Sequence, residues 1–176
     1  MPTYAAWTLQ SCAGIAQFAG VSMSLDGTKV AVSEYTGYIQ TSTDSGQTWV
    51  VQTAAVARTW EQLASSGTGV RLASFFISGD QVALSYSGGA SWVVVSTGSP
   101  GTISSVAMST SGTYVLASTR GDYLRMSSSS GTNWAALTSS GVRTWRSVSC
   151  SADATVILAS ERDSITLQGY LWVSTN

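Results

Sequence analysis

Two arginine-containing segments carry the residue types best suited to binding an anionic group. Arg58-Thr-Trp60 and Arg143-Thr-Trp145 repeat the same tripeptide 85 residues apart. A guanidinium presents a planar fork of donors that holds a carboxylate or a sulfate through two parallel hydrogen bonds. Two such arginines facing each other would clamp an acidic ligand. The same arginines could instead pair with Glu34, Glu61 or Glu161 and serve only to hold loops.

Glu34 and Glu161 are also the candidates for glycoside chemistry. A glycosidase needs a carboxylic acid and a carboxylate about 5 to 10 Å apart on either side of the bond that breaks. The two glutamates occupy matching positions in the internal repeats described below, and they would face each other if the repeats surround an axis. The sequence lacks the residues for two other kinds of chemistry. Without histidine no Ser-His-Asp triad can form for nucleophilic catalysis. No phosphate-binding glycine motif precedes a helix, so nucleotide chemistry is not supported.

The composition restricts the class of partner and the kind of site. The chain has 176 residues, a net charge of −1 and 10% charged residues, against about 25% in ordinary globular proteins. Its eight basic residues are scattered, which disfavours nucleic-acid binding. The lack of histidine, with only Cys12 and Cys150 as thiols, predicts no metal site and no cofactor. No apolar run approaches the roughly 20 residues of a membrane-spanning helix, and no signal peptide is visible.

An internal repeat with a period of about 42 residues is the most informative pattern. The segment from Ser24 to Ser33 resembles segments that begin at Ser65, Ser109 and Ser151. Within each repeat, short alternating runs are interrupted by Gly, Asp and Ser, which is typical of strands and tight turns. A β-propeller blade places four strands in 40 to 45 residues. The sequence therefore predicts an all-β fold: a small β-propeller of four four-stranded blades.

One short motif recurs at the same period. Its complete form is Ser42-Thr-Asp44-Ser-Gly46-Gln-Thr48-Trp49, the pattern S-x-D-x-G-x-T-W, and reduced copies cover residues 85–92 and 127–134. A fourth copy would be split, with Ser174 supplying its beginning and Trp7 its tryptophan. With this motif the chain resembles the Asp-box, or BNR-repeat, β-propeller family, which includes sialidases, sortilin-type receptors and photosystem assembly factors.

The physical role of the motif is local. A carboxylate at Asp44 accepts backbone N–H bonds across a hairpin turn, and Gly46 supplies the positive φ that the turn requires. The tryptophan at Trp49 then packs between neighbouring sheets. The resemblance implies a structural device, not an active site, formed by Ser42, Asp44, Gly46, Thr48 and Trp49.

Residues 1–176 are predicted to form one propeller domain. Its blades cover about 18–53, 58–96, 102–138 and 143–176, and residues 1–10 complete the last blade. Pairing of the N-terminal and C-terminal strands would close the ring and remove its free edges. Two arrangements are open, a closed four-bladed monomer and a two-chain ring of eight blades. Cys12 and Cys150 are either two buried thiols or a disulfide that closes the ring.

Most of the charged residues are predicted to lie on one face of the propeller. The loops between second and third strands share this face with the connections between blades, and we call it the loop face. Charge that gathers on one face of such a weakly charged chain suggests a binding surface, although loops commonly carry charge. The aromatic residues would add apolar anchors or fill the interior of their blades. The predicted partner-binding residues are Glu34, Arg58, Trp60, Phe75, Phe76, Asp80, Arg120, Asp122, Arg143, Trp145, Glu161 and Arg162.

These features predict a non-catalytic binding module that engages a protein or a glycan through its loop face. The loops differ between blades, which favours a single asymmetric partner over a lectin with repeated sites. Two alternatives stay open, a self-assembling structural protein and a sialidase-like glycoside hydrolase. The chain departs from the sialidase pattern because it lacks an Arg-Ile-Pro motif before the first box and has four repeats where those enzymes have six blades. The family resemblance favours an extracellular location, on which the residues themselves are silent.

Overall fold

A computed structural model describes residues 9–10, 16–77, 79–163, 166 and 168–175. Within these ranges the chain forms fifteen β-strands, which fall into four consecutive antiparallel groups that we call units 1 to 4. Unit 1 contains β1 (Phe18–Met23), β2 (Val30–Glu34), β3 (Ile39–Ser42) and β4 (Val50–Gln52). Unit 2 contains β5 (Trp60–Ser65), β6 (Leu72–Phe76), β7 (Gln81–Ser85) and β8 (Val93–Ser96).

The second half of the chain repeats the arrangement with two differences. Unit 3 contains β9 (Thr102–Met108), β10 (Val115–Asp122), β11 (Leu124–Ser127) and β12 (Ala135–Leu137), and unit 4 contains β13 (Arg143–Cys150), β14 (Val156–Arg162) and β15 (Gly169–Thr175). Strand β10 continues far enough to pair also with β13, so that units 3 and 4 share one sheet. Among the described residues β15 pairs only with β14. The predicted closing strand in residues 1–8, like Cys12, lies outside the described residues, and Cys150 is a free thiol.

The turn between the first and second strands of each unit begins with a buried or half-buried serine. In unit 1 the Ser24 N–H donates to the Lys29 carbonyl at 2.8 Å, and the Asp26 carboxylate accepts the Ser24 hydroxyl and the Thr28 N–H. The corresponding turns begin at Ser66, Ser109 and Ser151. The second repeat is therefore in register from Ser66, one residue later than the sequence comparison places it.

The hydrophobic core lies between the units in three clusters, because alternate residues of each strand point to opposite faces of its sheet. Ile39 and Trp60 meet between units 1 and 2, Val82 and Val106 between units 2 and 3, and Leu116 with Trp145 between units 3 and 4. Each first strand packs against the first strand of the next unit, β1 on β5, β5 on β9 and β9 on β13.

A ladder of backbone hydrogen bonds also joins the four units through their first turns. The Leu25 N–H donates to the Gly67 carbonyl at 2.9 Å, the Gly67 N–H to the Thr110 carbonyl at 2.8 Å, and the Thr110 N–H to the Ala152 carbonyl at 2.8 Å. One step of the ladder therefore corresponds to one unit. The predicted all-β class is confirmed, with the units arranged as successive packed sheets.

Candidate binding surface

The loop face is held together by backbone hydrogen bonds between its two kinds of connection. Gly37, after β2, and Arg58, before β5, exchange two backbone hydrogen bonds of 2.9 and 3.1 Å. In unit 2 the Asp80 carbonyl accepts the Thr97 N–H at 2.9 Å. The opposite face, which we call the turn face, carries the first turns and the turns of the S-x-D-x-G-x-T-W motif and its reduced copies, joined for example by the Ser45 N–H and the Thr28 carbonyl. Backbone hydrogen bonds therefore fix the loop connections relative to one another, and we call the result a braced surface.

The first arginine tripeptide is packed into the core between units 1 and 2. The Arg58 guanidinium lies 4.4 Å from the centroid of the Phe76 ring, and Phe76 meets the Trp60 ring edge-on at 5.6 Å. Trp60 is fully buried, and Phe76 is 6% exposed. Phe75 points to the other face of β6 and is buried against unit 3. Trp60 and Phe76 support the loops from within, so a partner would not reach them directly, whereas Phe75 also lines the small cleft described below.

The second tripeptide makes an analogous set of contacts in unit 4. The Arg143 guanidinium lies 3.8 Å from the centroid of the Trp172 ring and forms an ion pair with Glu161 at 3.3 Å. Trp145 is 1% exposed and lies against Trp172. The ion pair supports the interpretation in which the tripeptide holds a loop, because Arg143 and Glu161 are paired with each other.

The remaining predicted carboxylates are also engaged by the fold. Glu34 accepts the Gln40 amide and the Tyr38 N–H, and Asp80 accepts the Ser96 hydroxyl and the Gly98 N–H. Asp122 is buried beside Ser99 and Arg125. Burial raises the pKa of Asp122, but the hydrogen bonds from Ser99 and Arg125 outweigh it and leave that pKa below its ordinary value. Glu34 and Glu161 thus belong to separate hydrogen-bond networks.

Two of the predicted residues are exposed, and they stand among apolar side chains that the sequence did not single out. Arg120 and Arg162 reach solvent. A cleft of about 130 Å³ between units 2 and 3 is lined by Glu61, Phe75, Ile77, Ile103 and Arg120, with two further residues. The exposed apolar side chains of the loop face are Tyr35, Val56, Ile77 and Val142.

The exposed apolar residues left a weak signal in the sequence. Ile77 directly follows two phenylalanines at the end of β6, and Val142 directly precedes Arg143. Val56 and Gly141 occupy the same position after a short 3-10 turn, at φ 57° and 74°. A β-branched residue rarely adopts a positive φ. Val56 is therefore held in a strained conformation on an exposed surface.

The motif at residues 42–49 of unit 1 has the local geometry that its residues predict. The Asp44 carboxylate accepts the Thr48 N–H at 2.8 Å and the Thr48 hydroxyl at 2.6 Å, and the Ser42 hydroxyl donates to it at 2.7 Å. These bonds, with those of Thr48 the strongest, lower the pKa of Asp44 to about 2. The Trp49 indole N–H donates to the Gly46 carbonyl at 2.8 Å. Trp92 and Trp134 make the same bond at the same length.

A larger cleft of about 300 Å³ lies on the turn face between units 1 and 2. Its lining is mainly small or apolar and includes Val30, Thr41, Val70 and Leu72. Lys29 is the charged residue of this lining. Within the part of the chain that the structure describes, no group of acidic, cysteine or histidine side chains is arranged to hold a metal ion. No helix among these residues is long and apolar enough to cross a membrane.

The fold matches solved β-propellers, although no protein-family model and no curated protein sequence matches the chain. YCF48 from Cyanidioschyzon merolae matches 98% of the chain with a TM-score of 0.73 and 18% identity. Hydrazine synthase from Kuenenia stuttgartiensis matches 97% of the chain with a TM-score of 0.72 and 15% identity. The GH74 xyloglucanase from Xanthomonas campestris matches 89% of the chain with a TM-score of 0.67 and 16% identity. The chain covers 57%, 49% and 28% of those three chains. It therefore spans about half of the first two.

Proposed function

We propose that this chain is a non-catalytic binding module that holds an exposed segment of a protein partner on its loop face. The observation that carries the proposal is the group of exposed apolar side chains on a braced surface, beside charges that the fold does not use. Ile77 is 54% exposed and Val142 59% exposed, and exposed Arg120 lines the cleft next to Ile77. Apolar anchors surrounded by polar groups are characteristic of protein-binding sites.

The chemistry of the loop face favours a peptide over a sugar. A glycan reader stacks its ligand on exposed aromatic rings, whereas Trp60, Phe76 and Trp145 are buried here. Among the residues that line the cleft, Ile77 and Arg120 are exposed beside the half-buried Glu61, which suits a segment that carries an apolar side chain and a carboxylate for Arg120. Among structures similar in fold, YCF48 has been solved bound to D1 peptide, with a TM-score of 0.68 and 18% identity.

The catalytic alternatives find less support in the side chains. GH74 enzymes are among the similar folds. However, Glu161 is paired with Arg143, and Glu34 is hydrogen-bonded to Gln40, so neither carboxylate is presented to a substrate. We therefore assign the chain no reaction. The absence of turnover on aryl glycosides and xyloglucan is the expected result.

The proposal also includes the detailed architecture of the chain, which is four Asp-box propeller blades. Units 1 to 3 each have four strands, and the Trp49 type of indole bond recurs in all three. Unit 4 contributes three strands in the described residues, and its box would begin at Ser174. The proposal therefore includes a fourth blade completed by an N-terminal strand.

Selection from a random peptide library tests the binding function. The protein is immobilised through Lys29, the only lysine of the chain, which lies on the turn face and leaves the loop face free. Selected peptides should bind the unmodified protein and lose at least tenfold in affinity with Ile77→Asp or Arg120→Glu. Val70→Asp, at an exposed apolar residue on the turn face, is the matched control. Peptides that bind all three variants with equal affinity would contradict the proposal.

A further inference from the structure

The two ends of the array of units expose apolar residues that are buried at every internal junction. Leu63, Val106 and Val148 are at most 4% exposed where β5, β9 and β13 pack against the preceding unit. Val21 holds the same position in β1 and is 71% exposed. Phe18 and Met23 of β1 are 44% and 63% exposed. We call the surface formed by Phe18, Val21 and Met23 the start face.

The opposite side of the array shows the complementary pattern. Ile39, Val82 and Leu124, in the third strands of units 1 to 3, are at most 5% exposed because the following unit covers them. Leu171 has the same position in β15 and is 75% exposed, and Val173 is 65% exposed. With Leu158 of β14, 43% exposed, these residues form the end face. The start face and the end face are thus the two halves of an ordinary junction between units.

The backbone ladder is also left incomplete in a matching way. Leu25 begins the ladder as a donor and Ala152 ends it as an acceptor. No backbone hydrogen bond joins the Leu25 carbonyl or the Ala152 N–H to another residue that the structure describes. Both residues are exposed. The end of one copy therefore offers the donor, and the start of another copy offers the acceptor, for one more step of the same ladder.

The Asp-box glycines indicate which side chains would meet at this junction. A Cβ built on Gly89 would lie 2.9 Å from Thr41 of the preceding unit, and one on Gly131 would collide with Leu84. Val173 is the counterpart of Thr41 and Leu84, and Gly46 is the counterpart of the two glycines. The nearest atoms to a Cβ on Gly46 belong to Trp49 and Gln10. Among the described residues, Gly46 thus has no packing partner like the one that Val173 of a preceding unit would supply.

Gln10 lies at a position that the outermost strand of a preceding unit would occupy. Its Cγ lies 4.0 Å from the Cβ position of Gly46, and Gln52 of β4 lies 3.2 Å from that of Gly89. Gln10 precedes Gln52 by 42 residues, the length of one repeat. Gln10 therefore lies where the outermost strand of a preceding unit belongs, while β15 has a free edge in the described chain.

We infer that two copies of this chain bind head to tail, with the start face of each on the end face of the other, and close a ring of two arcs. One copy does not cover its own faces, since Val21 and Leu171 are both exposed. A second copy supplies complementary apolar surface, the missing ladder bond and the outermost strand at both junctions. The chain superimposes on part of longer β-propeller chains, 57% of YCF48 and 49% of hydrazine synthase, so its units follow the curvature of such propellers, and we take two copies as the number that closes the ring. A heterologous contact that closes after a fixed number of copies yields a finite ring.

Mass measurement at micromolar concentration tests this assembly in the full chain. The expected species has twice the mass of one 18.3 kDa chain. Val21→Arg and Leu171→Arg, at opposite faces, should each raise the dissociation constant at least 100-fold, because each change places a charge in both junctions. Val50→Arg, at a residue 60% exposed on β4, is the control and should leave the mass unchanged. A single-chain mass, or masses that grow beyond two chains, would overturn the inference.

Disulfide trapping provides an independent test that identifies the contact. In a background with Cys12→Ser and Cys150→Ser, a chain carrying Leu25→Cys is mixed with one carrying Ala152→Cys. Hydrogen-bonded ladder neighbours bring their Cα atoms within the roughly 4.4 to 6.8 Å that a disulfide spans. A covalent heterodimer is expected on oxidation, and Leu25→Cys mixed with Thr132→Cys should give none. With both Leu25→Cys and Ala152→Cys in one chain, a cross-linked monomer would show closure within the chain and overturn the inference.

Discussion

The guanidinium of Arg143, in β13, lies 3.8 Å from the centroid of the Trp172 ring, in β15, across the intervening strand β14. Trp172 is 41% exposed, and its ring also meets Trp145 at a centroid distance of 6.4 Å. The arginine therefore covers an aromatic surface that would otherwise face solvent, and Glu161 fixes its orientation from the other side. In unit 2, Arg58 covers Phe76 in the same way. Both tripeptides stabilise the loop face through cation–π contacts.

Replacement of either stacked arginine should therefore lower stability. We expect Arg143→Ala and Arg58→Ala each to reduce the free energy of unfolding by about 1 to 2 kcal/mol, because the change removes a partly desolvated cation–π contact and its packing. Urea denaturation followed by tryptophan fluorescence measures the effect. Arg162→Ala, at an exposed arginine, is the matched control and should change stability by less than about 0.5 kcal/mol. Equal stability of all three variants would show that the stacked arginines are free to bind a partner.

Acid should weaken the turns that depend on an aspartate. The pKa values of Asp26, Asp44 and Asp153 are lowered from 3.8 to about 2 by hydrogen bonds from neighbouring Ser and Thr residues. Since the folded-state pKa lies below the unfolded-state pKa, the stabilisation is complete above about pH 4 and is lost as the pH falls towards 2. We expect the urea midpoint to decrease over this interval.

The asparagine variants isolate this contribution. Asp26→Asn, Asp44→Asn and Asp153→Asn together should be less stable at pH 6 and should show a flatter pH dependence between pH 4 and pH 2. The corresponding turns of units 2 and 3 carry Thr68 and Ser111 in place of the aspartate, so they do not titrate. A triple variant with the same slope as the parent protein would assign the acid sensitivity to other carboxylates.

The all-β class and the turn at residues 42–49 could be predicted because their causes are local in sequence. The turn depends on contacts within eight residues, from Ser42 to Trp49, and the structure shows the hydrogen bonds that those residue types favour. The repeat spacing likewise predicted short strands separated by turns. Local hydrogen-bonding chemistry transfers directly from residue type to structure.

The accessibility of the loop-face residues could not be predicted in the same way. Phe75 and Phe76 are adjacent, and the alternation of a strand sends them into two different cores, one against Ile103 and the other against Trp60. Which aromatic side chain is covered, and by what, depends on residues that lie 16 or more positions away in sequence. The pairing of β10 with β13 is non-local for the same reason. Candidate anchors chosen by residue type therefore proved to be core, whereas Ile77 is exposed on the loop face.

Relief of backbone strain at Val56 should stabilise the protein. Val56 has φ 57° and ψ 139°, a region that is essentially restricted to glycine and costs about 1 to 3 kcal/mol for other residues. Glycine offsets part of this stabilisation, because the greater conformational entropy of the unfolded chain lowers the free energy of unfolding by about 0.5 to 1 kcal/mol. We expect Val56→Gly to raise the free energy of unfolding by about 1 kcal/mol, measured by urea denaturation. Gly141→Val, the reciprocal change at the matching position, should lower it.

Ala57→Gly serves as the control for this pair of variants. Ala57 follows Val56 directly and is not among the residues with positive φ, so glycine there adds only entropy to the unfolded chain. It should lower stability by about 0.5 to 1 kcal/mol. A loss of stability with Val56→Gly as large as that with Ala57→Gly would refute the assignment of strain.

Added volume at Gly131 should destabilise the junction between units 2 and 3. This glycine has φ 92°, and a Cβ at this position would collide with Leu84, which is 1% exposed in the core. Gly131→Ala should lower the free energy of unfolding by about 2 to 4 kcal/mol, because overpacking adds to the strain of a positive φ. Gly98→Ala, at φ 69° with no atom within 4 Å of the new Cβ, measures the strain alone and should cost about 1 kcal/mol. If the collision is the cause, the cost of Gly131→Ala in a Leu84→Ala background should approach that of Gly98→Ala, and an unchanged cost would assign the whole effect to the backbone.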